Sequence, residues 1–137
     1  MRYLPNRRSV LQLAAVYGLF QVSPVLASNS VHSFNIFFDF ESTEMTAGAA
    51  QLAEVVAREI LPIARVTLAG HADTAEAQPE RISYARGNEV LKYFLRKQSL
   101  TRVRFNVVSS GIAEPLVKTG PNTREPQNRR VEIRLET

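Results

Sequence analysis

Two residues in this chain carry the pattern of a binding site for a ligand with both an anionic and a cationic group. Val66-Thr67-Leu68-Ala69-Gly70 is a β-branched and aliphatic run that stops at a glycine and at once presents His71 and Asp73. A short polar loop follows, and the segment Ile82-Ser83-Tyr84-Ala85-Arg86 then carries a guanidinium close to the start of an amphipathic helix. Arg86 lies four residues after Ile82 and four before Val90, on the apolar stripe of that helix. A cation there is too near the electropositive helix start to gain from the dipole. It must therefore face an acid or a ligand, unless its long stem lets the charge reach solvent. Asp73 is the acid that the order of elements brings closest.

His71 and Asp73, two apart at a strand end, could also serve a hydrolase or a metal. The inventory argues against both. The only other histidine is His32, far away in the chain, there is no cysteine, and no serine sits in a strained nucleophile turn. His71 then reads as a ring that packs and hydrogen-bonds within the fold. We expect no enzyme, no metal and no cofactor.

The elements that must position these residues follow from periodicity. Ser33 to Phe40 is an aromatic strand that closes on Phe38-Asp39-Phe40-Glu41. Thr46 is an N-cap, and Ala47 to Ile60 a helix with Leu52, Val55, Val56 and Ile60 as its stripe. Pro62 stops that helix. Arg65 to Ala69 is a strand. Pro79 suits the first turn of a second helix, whose stripe is Ile82, Val90, Leu91, Phe94 and Leu95. Val103 to Ser109 and Arg130 to Glu136 alternate as strands, separated by a Pro- and Gly-containing loop over 111–127. The order β-α-β-α-β-loop-β implies an α/β two-layer sandwich, a small mixed sheet with both helices on one face.

Residues 1–27 have the form of a secretory signal peptide: Arg2, Arg7 and Arg8, then an apolar run from Val10 to Phe20, then Pro24 and Val25-Leu26-Ala27 before a cut. The run is shorter than the roughly 20 apolar residues of a spanning helix. Cleavage near Ala27 leaves a mature chain with no membrane span, a short polar lead at 28–33 and one domain at 34–137. The Arg7-Arg8 pair fits either the general or the twin-arginine export route. Without cysteine there is neither a disulfide framework nor an N-terminal lipid attachment, and the expected compartment is the bacterial periplasm. The net charge of +4 and pI of about 9.9 owe most to the leader. Of 17 basic residues three fall in the first eight, and the rest exceed the 13 acids by one, so nucleic acid is not an expected partner.

Four blocks occur in the order of the OmpA C-terminal-like domain family: Gly70-His71-Ala72-Asp73, Ile82-Ser83-Tyr84-Ala85-Arg86, Gly111-Ile112-Ala113-Glu114-Pro115 and Asn128-Arg129-Arg130-Val131-Glu132-Ile133. Phe38-Asp39-Phe40 resembles that family's opening. The resemblance, over about residues 34–136, implies a non-catalytic module that binds peptidoglycan through the diaminopimelate of the stem peptide. It implies that Asp73 takes the ligand's ammonium and Arg86 its carboxylate, with Asp39, Glu41, His71 and Ala72 in support. Arg129 lies beside the groove, or else serves only the entry to the last strand. The chain departs from the family in several places: Ala72 stands for the usual Thr, Pro79 for an Asn, Glu41 where some members have Asn, Glu125 for a common Arg, and the 73–86 connection is two residues short. Gly87 replaces the usual Ala and should weaken its helix by roughly 1 kcal/mol. These departures spare the charged anchors and remove neutral contacts, which implies weaker or altered binding. The alternative function is a protein-interaction or scaffolding domain that has lost the wall ligand. In either case association with the outer membrane, if any, is expected to come through a partner in the envelope.

Overall fold

The final strand joins the first strand to the rest of the sheet. In the computed structural model, which describes residues 31–60 and 64–136, the strands are β1 (Val31–Phe37), β2 (Arg65–His71), β3 (Arg104–Gly111) and β4 (Arg130–Glu136). They lie in the order β1-β4-β2-β3. β4 is antiparallel to both neighbours, from Val31↔Glu136 to Phe37↔Arg130 on one side and Arg65↔Glu136 to Gly70↔Val131 on the other. β2 and β3 are parallel, as a strand-helix-strand crossover requires. The mixed two-layer fold expected from periodicity is the observed one. The leader, residues 28–30 of the lead, and the Pro62 helix stop lie outside the described residues. β1 begins at Val31, so the last three residues of the expected lead, Val31, His32 and Ser33, belong to the sheet.

The helices, α1 (Ala47–Glu59) and α2 (Pro79–Leu95), cover one sheet face. The core lies between them and Ile36, Val66, Leu68, Val131, Ile133 and Leu135. The alternation of β4 is thus the division between core and solvent. Thr46 caps α1 as expected, its Oγ1 accepting from the amide of Ala49 at 3.2 Å. The stripe of α1 is not the expected one. Leu52 and Val55 face outward, and the buried side is Ala49, Ala53, Val56 and the capping Ile60. Small alanines let the helix axis approach the sheet, where leucine at the same radius would hold it away. On α2, Ile82, Val90 and Phe94 are buried as expected while Leu95 is exposed. Phe94 stacks on Phe105 of β3, with ring centroids 5.7 Å apart.

Two glycines set how closely α2 sits on the sheet. A Cβ on Gly70 would lie 1.8 Å from the Ser83 carbonyl oxygen, inside van der Waals contact with helix backbone. A Cβ on Gly87 would meet Val107 Cγ1 at 2.7 Å. The weak helix propensity of Gly87 is therefore offset by closeness to β3, and the expectation of a simple propensity loss does not hold. α2 sits against β2 glycine to backbone, which carries Arg86 up to the β2 end.

Three boundaries differ from expectation, for reasons of contact. β1 ends at Phe37, because the chain turns at Asp39–Ser42, where the Ser42 amide donates to Asp39 O at 3.2 Å. Phe38 and Phe40 leave the sheet to pack under cations: the Arg86 guanidinium lies 5.5 Å from the Phe38 ring centre and that of Arg124 3.8 Å from Phe40. β2 and β3 each run two residues further than expected, through a register shift at Gly70/His71.

Candidate ligand-binding site

Arg86 enters the site from the second turn of α2 and is fully buried. A buried guanidinium is tolerable only if its five N–H groups are met. All five bonds are present. Nε donates to Ser42 O at 2.9 Å, Nη1 to His71 O at 3.1 Å and Nη2 to Asp39 O at 3.0 Å. The remaining two reach one carboxylate in a fork: Nη1 to Glu76 Oε2 at 2.8 Å and Nη2 to Glu76 Oε1. The acid that Arg86 faces is thus Glu76 and not Asp73. Glu76 gives no periodic signal in the sequence because it sits in a loop. The signal for it was available: a buried arginine demands an acid, and Glu76 is one of three between Gly70 and Ile82.

Glu76 is itself saturated. Besides the two guanidinium bonds, Oε1 accepts from the Glu41 amide at 3.1 Å and Oε2 from the Asp73 amide at 3.2 Å. Glu41 turns its N–H inward by adopting φ of +50°, a conformation that non-glycine residues rarely hold. Its own carboxylate Oε1 accepts from the Ala77 amide at 2.6 Å, so the 74–78 loop is tied at both ends of the acid.

Asp73 is equally buried and equally committed. Oδ1 caps the loop, accepting from the amides of Ala75 at 3.0 Å and Glu76 at 3.1 Å. Oδ2 accepts from the Glu125 amide at 3.0 Å and from Arg129 Nη1 at 2.9 Å. Asp73 and Arg86 are therefore linked through Glu76, each with its own partner of opposite sign. Arg129 also donates Nε to Phe38 O at 3.1 Å and lines a cavity of about 320 Å³ with Phe37, Phe38, Asp39, Thr46, Pro126 and Gln127. On the other side of the network a cavity of about 380 Å³ is walled by Glu41, Thr43, Ala77, Gln78, Arg81, Ile82 and Ala85.

The supporting residues sort by atom. Asp39 contributes its carbonyl to Arg86, and its side chain is exposed at the rim of the Arg129 cavity. Ala72 is buried, and its amide donates to Gly111 O at 2.9 Å, closing the β2–β3 end. His71 gives Arg86 a carbonyl, while its ring lies on the other side of the sheet, Nε2 at 4.0 Å from Glu132. Burial first, and then neighbouring Arg130, pull the His71 pKa down from 6.5 to about 4, so the ring is neutral at pH 7. The ring packs as expected but does not hydrogen-bond: neither of its nitrogens has a partner among the described residues. Asn128 pairs both ways with the backbone of Val117, at 2.9 and 2.7 Å, which fastens the long loop at the entry to β4.

The comparisons with known proteins bear on the family and the fold. A family model, that of the OmpA family, matches residues 37–129. A relative named outer membrane protein, from Gluconacetobacter diazotrophicus, is 31% identical over 118 residues, covering 80% of this chain. The chain spans only 31% of that relative's length. Among solved structures, the peptidoglycan-associated lipoprotein from Burkholderia pseudomallei superposes with a TM-score of 0.63 at 18% identity, covering 74% of this chain and 88% of that one. The C-terminal domain of Helicobacter pylori MotB does so with a TM-score of 0.65 at 16% identity, over 76% and 86%. At such identities the likeness is one of fold.

Proposed function

The chain belongs to the OmpA family, and on that premise we propose that it is a non-catalytic periplasmic module that associates with peptidoglycan. In this reading it engages the diaminopimelate end of a stem peptide where Arg86 and Asp73 adjoin. The observation that carries it is the Arg86 fork, two parallel N–H groups on one carboxylate, which is the geometry a diaminopimelate carboxylate needs. Asp73, next to it, is the acid suited to the ammonium, and Arg129 holds it in place. A relative whose name records association with peptidoglycan shares the fold. Export with cleavage near Ala27 would deliver the domain to the wall, and any link to the outer membrane would run through a partner protein.

Mature protein, residues 28–137, is expected to co-sediment with purified sacculi and to be released by free meso-diaminopimelate. Sedimentation that is absent, or indifferent to diaminopimelate, would sink the reading. One observation favours a second reading, a scaffolding module without wall affinity: Glu76 already satisfies Arg86, so the network is complete without a ligand. Under that reading the mature protein stays in the supernatant, and substitutions that open the network do not move it to the pellet.

A further inference from the structure

The donors around Glu76 form a seat for a carboxylate, and they do not come from the segment that supplies the carboxylate. Arg86 Nη1 and Nη2 belong to α2, the Asp73 amide to the end of β2, and the Glu41 amide to the turn after β1. Those three are parts of the scaffold. The acid rides on the loop 74–78, which has no regular structure; its Ala75 and Glu76 amides donate to Asp73 Oδ1, and a few further bonds hold it from outside. Ala77 N donates to Glu41 Oε1 at 2.6 Å, Thr74 Oγ1 donates to Gly120 O at 2.7 Å, and the Thr123 amide donates to Thr74 Oγ1 at 3.0 Å. The cavity of about 380 Å³ opens against this loop, is lined by its Ala77 and Gln78, and has Glu41 in its wall.

We propose that Glu76 is an internal ligand: it fills a four-donor carboxylate seat, and a ligand carboxylate enters only by displacing it. The seat is the inference proper, and the natural ligand's identity rests on the wall-binding reading above. An acid tethered within the same chain competes at an effective concentration of millimolar or more. Binding then proceeds through the fraction of molecules in which the loop has swung away, and apparent affinity falls by that fraction. Breaking a buried, doubly bonded pair makes the open fraction on the order of one in a hundred or fewer. The Glu41–Ala77 bond at the cavity mouth is the contact an incoming ligand would reach first.

The test uses the mature chain and two variants, Glu76→Ala, which empties the seat, and Glu76→Gln, which keeps the side-chain volume and removes the charge. Thermal unfolding is followed at pH 7 in sodium acetate and in sodium chloride of equal ionic strength, and each protein is also spun with sacculi. An emptied seat takes up acetate, so acetate but not chloride should raise the Tm of Glu76→Ala in a saturable way, with no such effect on wild type. Should Glu76→Ala not fold, acetate rescue of its refolding and the behaviour of Glu76→Gln give the same answer. Acetate and chloride acting alike on both variants would overturn the seat. On sacculi, Glu76→Ala or Glu76→Gln should show an apparent affinity at least tenfold above wild type. Equal binding by wild type and variants would overturn the role of Glu76 as competitor. Acetate rescue with no sedimentation by any form would keep the seat and remove the wall as its ligand.

Discussion

Replacing Asp73 by asparagine isolates what the network is worth. The carboxylate accepts four hydrogen bonds, two on each oxygen: the amides of Ala75 and Glu76 on Oδ1, the Glu125 amide and Arg129 Nη1 on Oδ2. An asparagine keeps one acceptor oxygen and offers an NH2 group at the other position. In one orientation that NH2 faces Glu125 N–H and the Arg129 guanidinium; flipped, it faces Ala75 N–H and Glu76 N–H. Neither choice avoids two donors pointing at a donor in a site without solvent. Each unsatisfied buried donor costs about 1–3 kcal/mol, and breaking a buried ion pair from one side costs about 3–5 kcal/mol in all. Asp73→Asn should therefore lose about 3–5 kcal/mol. In urea unfolding at pH 7, with an m-value of about 2 kcal/mol/M, the midpoint should fall by about 2 M with little change in slope. Arg129→Met should lose less, and the double variant less than the sum, because both single changes break the same pair. A loss under about 1 kcal/mol for Asp73→Asn, or strict additivity with Arg129→Met, would refute the view that this pair fastens the long loop to the end of β2.

Three further outcomes follow from the packing and the buried ring. Gly70→Ala places a methyl 1.8 Å from the Ser83 carbonyl and must push α2 off the sheet, so we expect a loss of more than about 3 kcal/mol in urea, or no folded protein. Gly87→Ala should fail to deliver the roughly 1 kcal/mol that alanine normally adds to a helix, since Val107 Cγ1 stands 2.7 Å away; adding Val107→Ala should restore part of the gain, measured by Tm. His71 sets a pH dependence. Above pH 6.5 neither folded nor unfolded chain protonates this ring, and between 6.5 and about 4 only the unfolded chain does, so stability falls as pH falls through that window. The full drop, about 3 kcal/mol from a depression of this size, should be much smaller in His71→Asn when urea midpoints at pH 7 and pH 4.5 are compared.

Periodic segments were legible in the sequence because one face of each is dry. β4 matches the alternation of Val131, Ile133 and Leu135 residue for residue, and Thr46 and Pro79 mark the helix starts because their side chains answer backbone needs at those positions. The stripe of α1 departs from expectation because hydrophobic size is not burial: alanine at 49 and 53 lies under the helix while Leu52 and Val55 lie outside. At the site, the need of Arg86 for an acid was visible from its position among apolar residues, but the choice between Asp73 and Glu76 was not. That choice depends on which way a short loop folds, and on the Glu41 amide, which reaches Glu76 from 35 residues earlier. A donor that belongs to the backbone leaves no trace in residue type.

The place of β4 in the sheet also bears on when this chain can fold. β1 pairs with nothing but β4, and its first residue meets the penultimate residue of the chain, Val31 opposite Glu136. β4 separates β1 from β2, so the sheet has a gap at its centre until the last residues are available. Closing pairings of such long sequence separation is slow. β1 therefore stays unpaired until β4 has been made, and the sheet closes late. Deleting residues 130–137 should leave β1 without a partner and the sheet reduced to the β2–β3 pair.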